Sequence, residues 1–332
     1  MPRPGLTYAA LLAVLVLVVA GALLVGQGSL ADAGLVRTFL VLRATWVGAA
    51  FLAGAALGVG GVVVQGVFRN PLVSPSILGT TAGAMLGGQL ALLGVAAMLP
   101  RVRAVAGSAG MEMVLPLGCL VGAAVSLAIV LVFCRERTGT LVVLLTGFIL
   151  SSLFLSIGSF ATSLAAESWD VGRAVVAFTL GGVGGVSGRQ LLVAAPLAAA
   201  GVGAAWGWGR TLDLLLSGEE EAATLGVEVG QARRWAIVWV AVLTAAAVSV
   251  GGNVAFVGLI VPHALRPLVG VPHRRLIPAA ALLGGAFLVA CDVLARALPA
   301  RSEIPLGVVT GIIGAPVFLV LLARVQREVL HG

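Results

Sequence analysis

Ten apolar runs, each close to the length that crosses a bilayer, restrict this chain to one kind of fold. They lie at about 7–27, 46–67, 77–99, 113–134, 141–165, 191–209, 235–251, 254–270, 277–298 and 306–323. A hydrocarbon core about 30 Å thick takes roughly 20 residues of helix. Inside it every backbone N–H and C=O needs a protein partner, which leaves helices or closed barrels. Continuous runs of this length predict helices. The expected fold class is therefore all-α: a polytopic membrane protein of about ten transmembrane helices, forming one domain over 1–332. Composition agrees, with 60% hydrophobic residues and only 10% charged, too little charge for a soluble domain of this size. The 46 glycines suit helices that pack closely in lipid. The first run, preceded by Arg3, is too long for a signal-peptide core and reads as a retained helix.

The same composition excludes several functions. All 20 basic residues are arginine, and a phosphate-binding P-loop requires a lysine. The chain therefore builds no such nucleotide site. No Gly-x-Ser-x-Gly or His-Glu-x-x-His pattern occurs, and His263, His273 and His331 have no Cys, Asp or Glu at metal-ligand spacing. Neither an enzyme nor a metal or cofactor site is expected. Cys119, Cys134 and Cys291 fall in or at the end of apolar runs, which argues against a disulfide framework. Asp292 and Arg296 stand four apart on one helix and can neutralise each other, leaving no good mid-membrane acid for a proton-coupled secondary carrier.

The formal charge of +7 reads as basic cytoplasmic loops rather than nucleic-acid binding. With the amino terminus inside, twelve arginines fall in the cytoplasm and eight outside. That places both termini in the cytoplasm of a multi-pass protein.

Three interruptions of the apolar pattern carry information. The stretch 210–234 is the longest polar one between runs; Ser217 is a candidate N-cap, Glu219, Glu220 and Glu221 fill a first turn, and Gly226 is a stop. It is either a solvated connector or a short helix on which a soluble partner docks. In Phe68–Gly79, Pro71 and Pro75 forbid a continuous helix, and Asn70, Ser74 and Ser76 need protein or water to face. In 251–263, Gly251 and Gly252 can end one helix and Pro262 can kink the next. A faint likeness between Gly58–Gly61 and Ser249–Gly252, in oppositely directed spans, hints at an inverted repeat.

Three blocks, in order, carry a family resemblance. They are Gly54–Gly79 with Gln65, Asn70-Pro71 and Pro75; Phe256–Arg266 followed by His273-Arg274-Arg275; and Asp292–Arg296 followed by Glu303–Thr310 and Gly314–Phe318. Together they resemble the FecCD family, the permease subunits of type II ABC importers for ferric siderophores, haem and cobalamin. The resemblance implies a subunit on the cytoplasmic (inner) membrane of a bacterium that moves such a cargo inward. Its implied partners are a second permease subunit as a homodimer, two ATPase subunits, a periplasmic or surface-anchored substrate-binding protein, and membrane lipid. No cofactor is bound by this chain; ATP and Mg belong to the partner ATPase.

The resemblance also assigns residues. The loop at about 213–228 becomes the coupling helix that seats in the ATPase, through Gly218, Glu219, Glu220, Glu221, Ala222, Leu225 and Gly226. Thr140 and Asn70 match cytoplasmic gate positions; Asn70 is equally a turn residue before proline, and the two roles are compatible. Arg43 and Arg296 match outer arginines that meet the binding protein, against the alternative of snorkelling membrane anchors. The family's second arginine beside Arg43 is replaced by Trp46, which implies docking through fewer or different ion pairs. Other cargoes in the same architecture include oxyanions such as molybdate; a positively lined pathway would suit those, and a broad apolar one a chelate.

Overall fold

The computed structural model describes residues 4–25, 34–133, 140–298 and 304–331, with side chains at all of these except 96–111, 140, 321, 322 and 324–331. The elements are α1 (Pro4–Leu24), α2 (Val36–Val67), a 3-10 turn (Pro75–Leu78), α3 (Thr80–Phe133), α4 (Thr140–Ala165), α5 (Trp169–Leu180), α6 (Gly188–Gly207), α7 (Gly209–Ser217), α8 (Glu219–Thr224), α9 (Val229–Gly251), α10 (Val257–Val269), α11 (His273–Ala297) and α12 (Leu306–His331). Among the described residues, seven helices are long and apolar enough to cross a membrane, and three shorter apolar helices, Thr80–Val95, Val257–Val269 and Leu306–Val320, bring the set to the ten expected runs.

α3 contains two of those runs. Gly83 packs on Gly122 and Gly87 on Gly118, so the arms Thr80–Val95 and Glu112–Phe133 lie side by side and antiparallel. A straight helix of this length would be about 80 Å long and could not make those contacts.

Hydrogen bonds between helix ends define two faces. Tyr8 donates its hydroxyl proton to the Arg275 carbonyl at 2.6 Å, so α1 and α11 begin on one face, here termed the amino face. Arg43 and Arg296 meet the last carbonyls of α1 on the far face. α2 runs from the far face to the amino face, and α9 runs the other way, since Gly251 at its end packs on Ala53 while Arg233 at its start pairs with Glu219.

α2 is the hub and is buried along nearly all its length beyond Ala49. Where it crosses α11, a Cβ on Gly54 would overlap the backbone of Gly284; where it crosses α10, a Cβ on Gly61 would overlap Gly258. Small residues permit this approach, and dispersion between close backbones replaces the hydrophobic drive that lipid does not supply. Cys119 and Cys291 are buried and unbridged, and Cys134 lies outside the described residues.

α5 is an element the ten runs did not include. It carries Phe178 onto Gly88, deep in the helix layer, and the chain then turns back at Gly181. Three breaks in helical structure meet there. Gly182 donates its N–H to Gly251 O at 3.0 Å, and Leu306 donates to Gly181 O at 2.9 Å. The end of α5, the α9–α10 break and the start of α12 therefore satisfy one another, the condition for irregular backbone at membrane depth. As expected, α9 ends at Gly251; Pro262 lies inside α10. Phe256 heads α10 in the left-handed region, φ +65°, with its side chain against Gly314.

Candidate functional site

The loop between α6 and α9 folds into two short helices rather than one. Ser217, expected as an N-cap, is the last residue of α7; the N-cap of α8 is Gly218, at φ +135°. Only glycine adopts that φ without strain, and it lets the chain turn sharply between helices. Glu219, Glu220 and Glu221 do fill the first turn of α8, where backbone N–H groups favour negative charge. Gly226 (φ +86°) closes the helix: Val227 donates to Ala222 O and Gly226 to Ala223 O, both at 3.0 Å, the paired pattern of a Schellman stop. Ala222 points inward and is buried, while the three glutamates are exposed and Leu225 is 63% exposed. The element thus holds an acidic rim beside an uncovered leucine on the amino face.

Two contacts attach this element to the bundle. Arg233 of α9 forms an ion pair with Glu219. On α7, Asp213 Oδ1 accepts both the backbone N–H of His273 (2.8 Å) and an imidazole contact from its Nδ1 (2.7 Å). His273 is the first residue of α11, whose own N-cap is Pro272 with no side-chain cap, so α7 supplies the missing cap. Burial by itself would raise the Asp213 carboxyl; hydrogen bonds from His273 and the nearby charges of His273 and Arg274 outweigh it and hold the carboxyl below the usual range. Arg274 lies over the Trp206 ring, 5.3 Å from its centroid, and Trp206 Nε1 donates to Arg274 O at 3.2 Å.

The Asn70 turn follows the same amino-face end of α2. α2 stops with Arg69 at φ +48°; Asn70 donates its N–H to Gln65 O (3.2 Å) and Arg69 donates to Gly66 O (3.3 Å). This repeats the Schellman pattern with arginine where glycine is usual. The Asn70 side chain accepts the Leu72 N–H at 2.9 Å, so its turn role is realised. Just before the turn, buried Gln65 accepts from Arg266 Nη2 at 2.6 Å. Thr140 opens α4, and its side chain lies outside the described residues.

A cavity of about 230 Å³ lies beside α4 and α5, lined by Ser76, Thr81, Gln89, Ser151, Ser159, Thr162, Thr179 and Asn253 together with apolar Met85, Phe154 and Leu155. Gln89 Nε2 donates to Thr179 Oγ1 (2.9 Å) and Thr162 Oγ1 (3.4 Å), joining α3, α5 and α4 along its wall. No residue lining it is charged.

On the far face the two outer arginines meet the end of α1. Arg43 is 2% exposed and donates through Nη1 to Leu23 O and Leu24 O, each at 2.9 Å. Arg296 donates to Val25 O at 3.0 Å, pairs with Asp292 at 2.6 Å and lies 6.0 Å over the Trp46 ring. The final carbonyls of a helix lack internal partners and attract cations. Both guanidiniums bond to carbonyls at the end of α1. The Asp292–Arg296 pair itself forms as expected.

The sequence assigned no structural role to Asp213, His273, Gln65 or Gln89. Their signals were present: a helix start without its own cap at Pro272-His273, and polar amides inside apolar runs. Which partner each would find is a tertiary matter.

Known proteins place this arrangement. A solved structure described as an inward-facing conformation of a putative metal-chelate type ABC transporter superposes with a TM-score of 0.83 at 30% identity, over 97% of this chain and 99% of that one. The cobalamin import system permease protein BtuC of Halobacterium salinarum is 40% identical over 83% of this chain and 70% of its own length. The Fe(3+) dicitrate transport system permease protein FecD of Escherichia coli is 36% identical, covering 83% and 82% respectively, and the hemin transport system permease protein HmuU of Yersinia pestis is 34% identical over 99% and 98%. The model of the FecCD transport family matches residues 6–324, and with these helices, breaks and motif blocks in place the chain belongs to that family.

Proposed function

We propose that this protein is the membrane-spanning permease of an ATP-driven importer that carries an intact iron chelate, haem or cobalamin across the cytoplasmic membrane. The observation that carries the reading is α7–α8: an element packed on the amino face whose outer side presents three glutamates and Leu225, on a chain with no lysine for a phosphate loop. It is a seat for a separate ATPase, which holds the ATP and Mg. The amino face is then cytoplasmic, both termini lie there, and the far face receives a substrate-binding protein. A second copy of the chain completes the pathway, with two ATPase subunits below. The Asn70 turn and the Thr140 end of α4 stand at the cytoplasmic exit as gate elements. Relatives named for iron dicitrate, hemin and cobalamin support the cargo class. The uncharged hydroxyl and amide lining of the cavity supports it too, since an oxyanion such as molybdate would call for fixed positive charge.

The test is direct. Permease in liposomes with its ATPase and the cognate binding protein, purified with its coloured ligand, should take up that ligand only with ATP. Leu225→Glu should reduce ATPase binding at least about tenfold, as loss of a central apolar anchor does. Unchanged binding after Leu225→Glu combined with glutamine at 219, 220 and 221 would remove α8 as the seat.

A further inference from the structure

His273 stands between the proposed ATPase seat and the proposed gate turn. Its side chain is 3% exposed. One edge of the ring meets Asp213 of α7 at 2.7 Å. The other edge, Nε2, lies so close to Gly66 that a Cβ there would overlap it. Gly66 is in the last turn of α2, its carbonyl accepts the Arg69 N–H at 3.3 Å, and Asn70 lies four residues on. α7 is held to the same spot at its start as well, where Gly209 packs against the backbone and side chain of Arg274.

We propose that His273 is a positioning residue that passes displacement of α7–α8 to the Asn70 turn. The proposal rests on the reading of α7–α8 as the ATPase seat. A planar ring held at both edges has no free rotamer in which to absorb a push, and close-packed contacts shift as units rather than deform. Asp213 fixes the ring to α7 and, through the backbone amide, fixes α11 to the same carboxylate. Gly66 admits the ring against the α2 backbone, so movement of α7 reaches the residues that terminate α2. Glu219–Arg233 carries load from α8 into α9 instead; α7 also packs directly on α2, and His273 is the side chain that ties Asp213 to the last turn of α2.

The experiment reads the turn itself. Full-length permease, with Cys119, Cys134 and Cys291 replaced by alanine and Leu72→Cys added, is assembled with its ATPase in lipid nanodiscs. Leu72 is 44% exposed and follows directly on the turn. Its labelling rate with a water-soluble maleimide is measured with and without Mg-ATP and vanadate, in parallel with ATPase binding and ATP hydrolysis. With His273 and Gly66 intact the rate should change about fivefold or more, a usual scale for coupled sites. His273→Ala and Gly66→Ala should each keep ATPase binding and hydrolysis while the labelling rate stops responding. His273→Asn restores a donor to Asp213 but leaves a gap at Gly66, and should stay unresponsive; adding Gly66→Ala fills that gap and should restore part of the response. A merely structural histidine would lower the melting temperature of both asparagine variants without separating their responses, and that result overturns the proposal. So does a His273→Ala protein that responds fully, or one that loses ATPase binding. If His273→Ala fails to fold, Gly66→Ala and the asparagine pair decide by the same criteria. Absence of ATPase binding to the parent protein would instead overturn the seat reading of α7–α8.

Discussion

Two buried arginines illustrate how single residues hold this bundle. A guanidinium taken out of water is costly unless its donors are used. Arg43 and Arg296 each use Nη1 on carbonyls that α1 cannot satisfy internally. Arg43→Leu strands Leu23 O and Leu24 O and should destabilise the detergent-solubilised protein by about 2 kcal/mol, read as a lower melting temperature. Arg43→Lys should recover part of this, since an ammonium donates but lacks the fork that spans two acceptors. Arg69 is the opposite case: it holds a left-handed φ of +48° that suits glycine. Arg69→Gly should raise stability by about 1 kcal/mol; a lower melting temperature would show that the guanidinium contributes more than its backbone costs.

Among elements, the α7–α8 unit shows how far sequence reasoning reached. Acidic residues ahead of an Ala-Ala pair and a closing glycine marked a short helix between Ser217 and Gly226, and Glu219–Thr224 forms one with its stop at Gly226 as expected. The break at Gly218 was not legible, because Ser217 is a good N-cap by type and only the direction of the chain makes it the end of α7 instead. Asp213 gives the element its pH dependence. Its carboxyl is held below the usual range, so the stability it adds is fully present above the unfolded value of about 3.9 and disappears as pH falls through the lower folded value. Asp213→Asn should therefore show a deficit in thermal stability at about pH 5 that shrinks as the solution is taken into strong acid, read as converging melting temperatures. A deficit that varied steadily across the neutral range would point to a different titrating group.

For the whole molecule, the decisive contacts are backbone to backbone. Gly54→Val drives a side chain into the α11 backbone at Gly284 and should cost about 3 kcal/mol, seen as loss of monodisperse protein. Gly203→Ala, where nothing lies within 4 Å, should be neutral or slightly favourable because alanine is the better helix former. Together these variants test whether glycine content reflects packing site by site. The ten apolar helices, seven of them long enough to cross a membrane, and the all-helical class followed from the chain alone, because lipid leaves the backbone no other way to satisfy its polar groups. Local chemistry likewise marked the turn at Asn70, the break at Gly251-Gly252 and the acidic helix near 219, since proline, glycine and charge act through their immediate neighbours. Tertiary structure decided the rest: that α5 turns back to meet the α9–α10 break, that Arg43 and Arg296 face inward, and that His273 joins α7 to the end of α2. Those outcomes depend on which of many equally polar partners comes within reach, and that is set by the packing of distant helices.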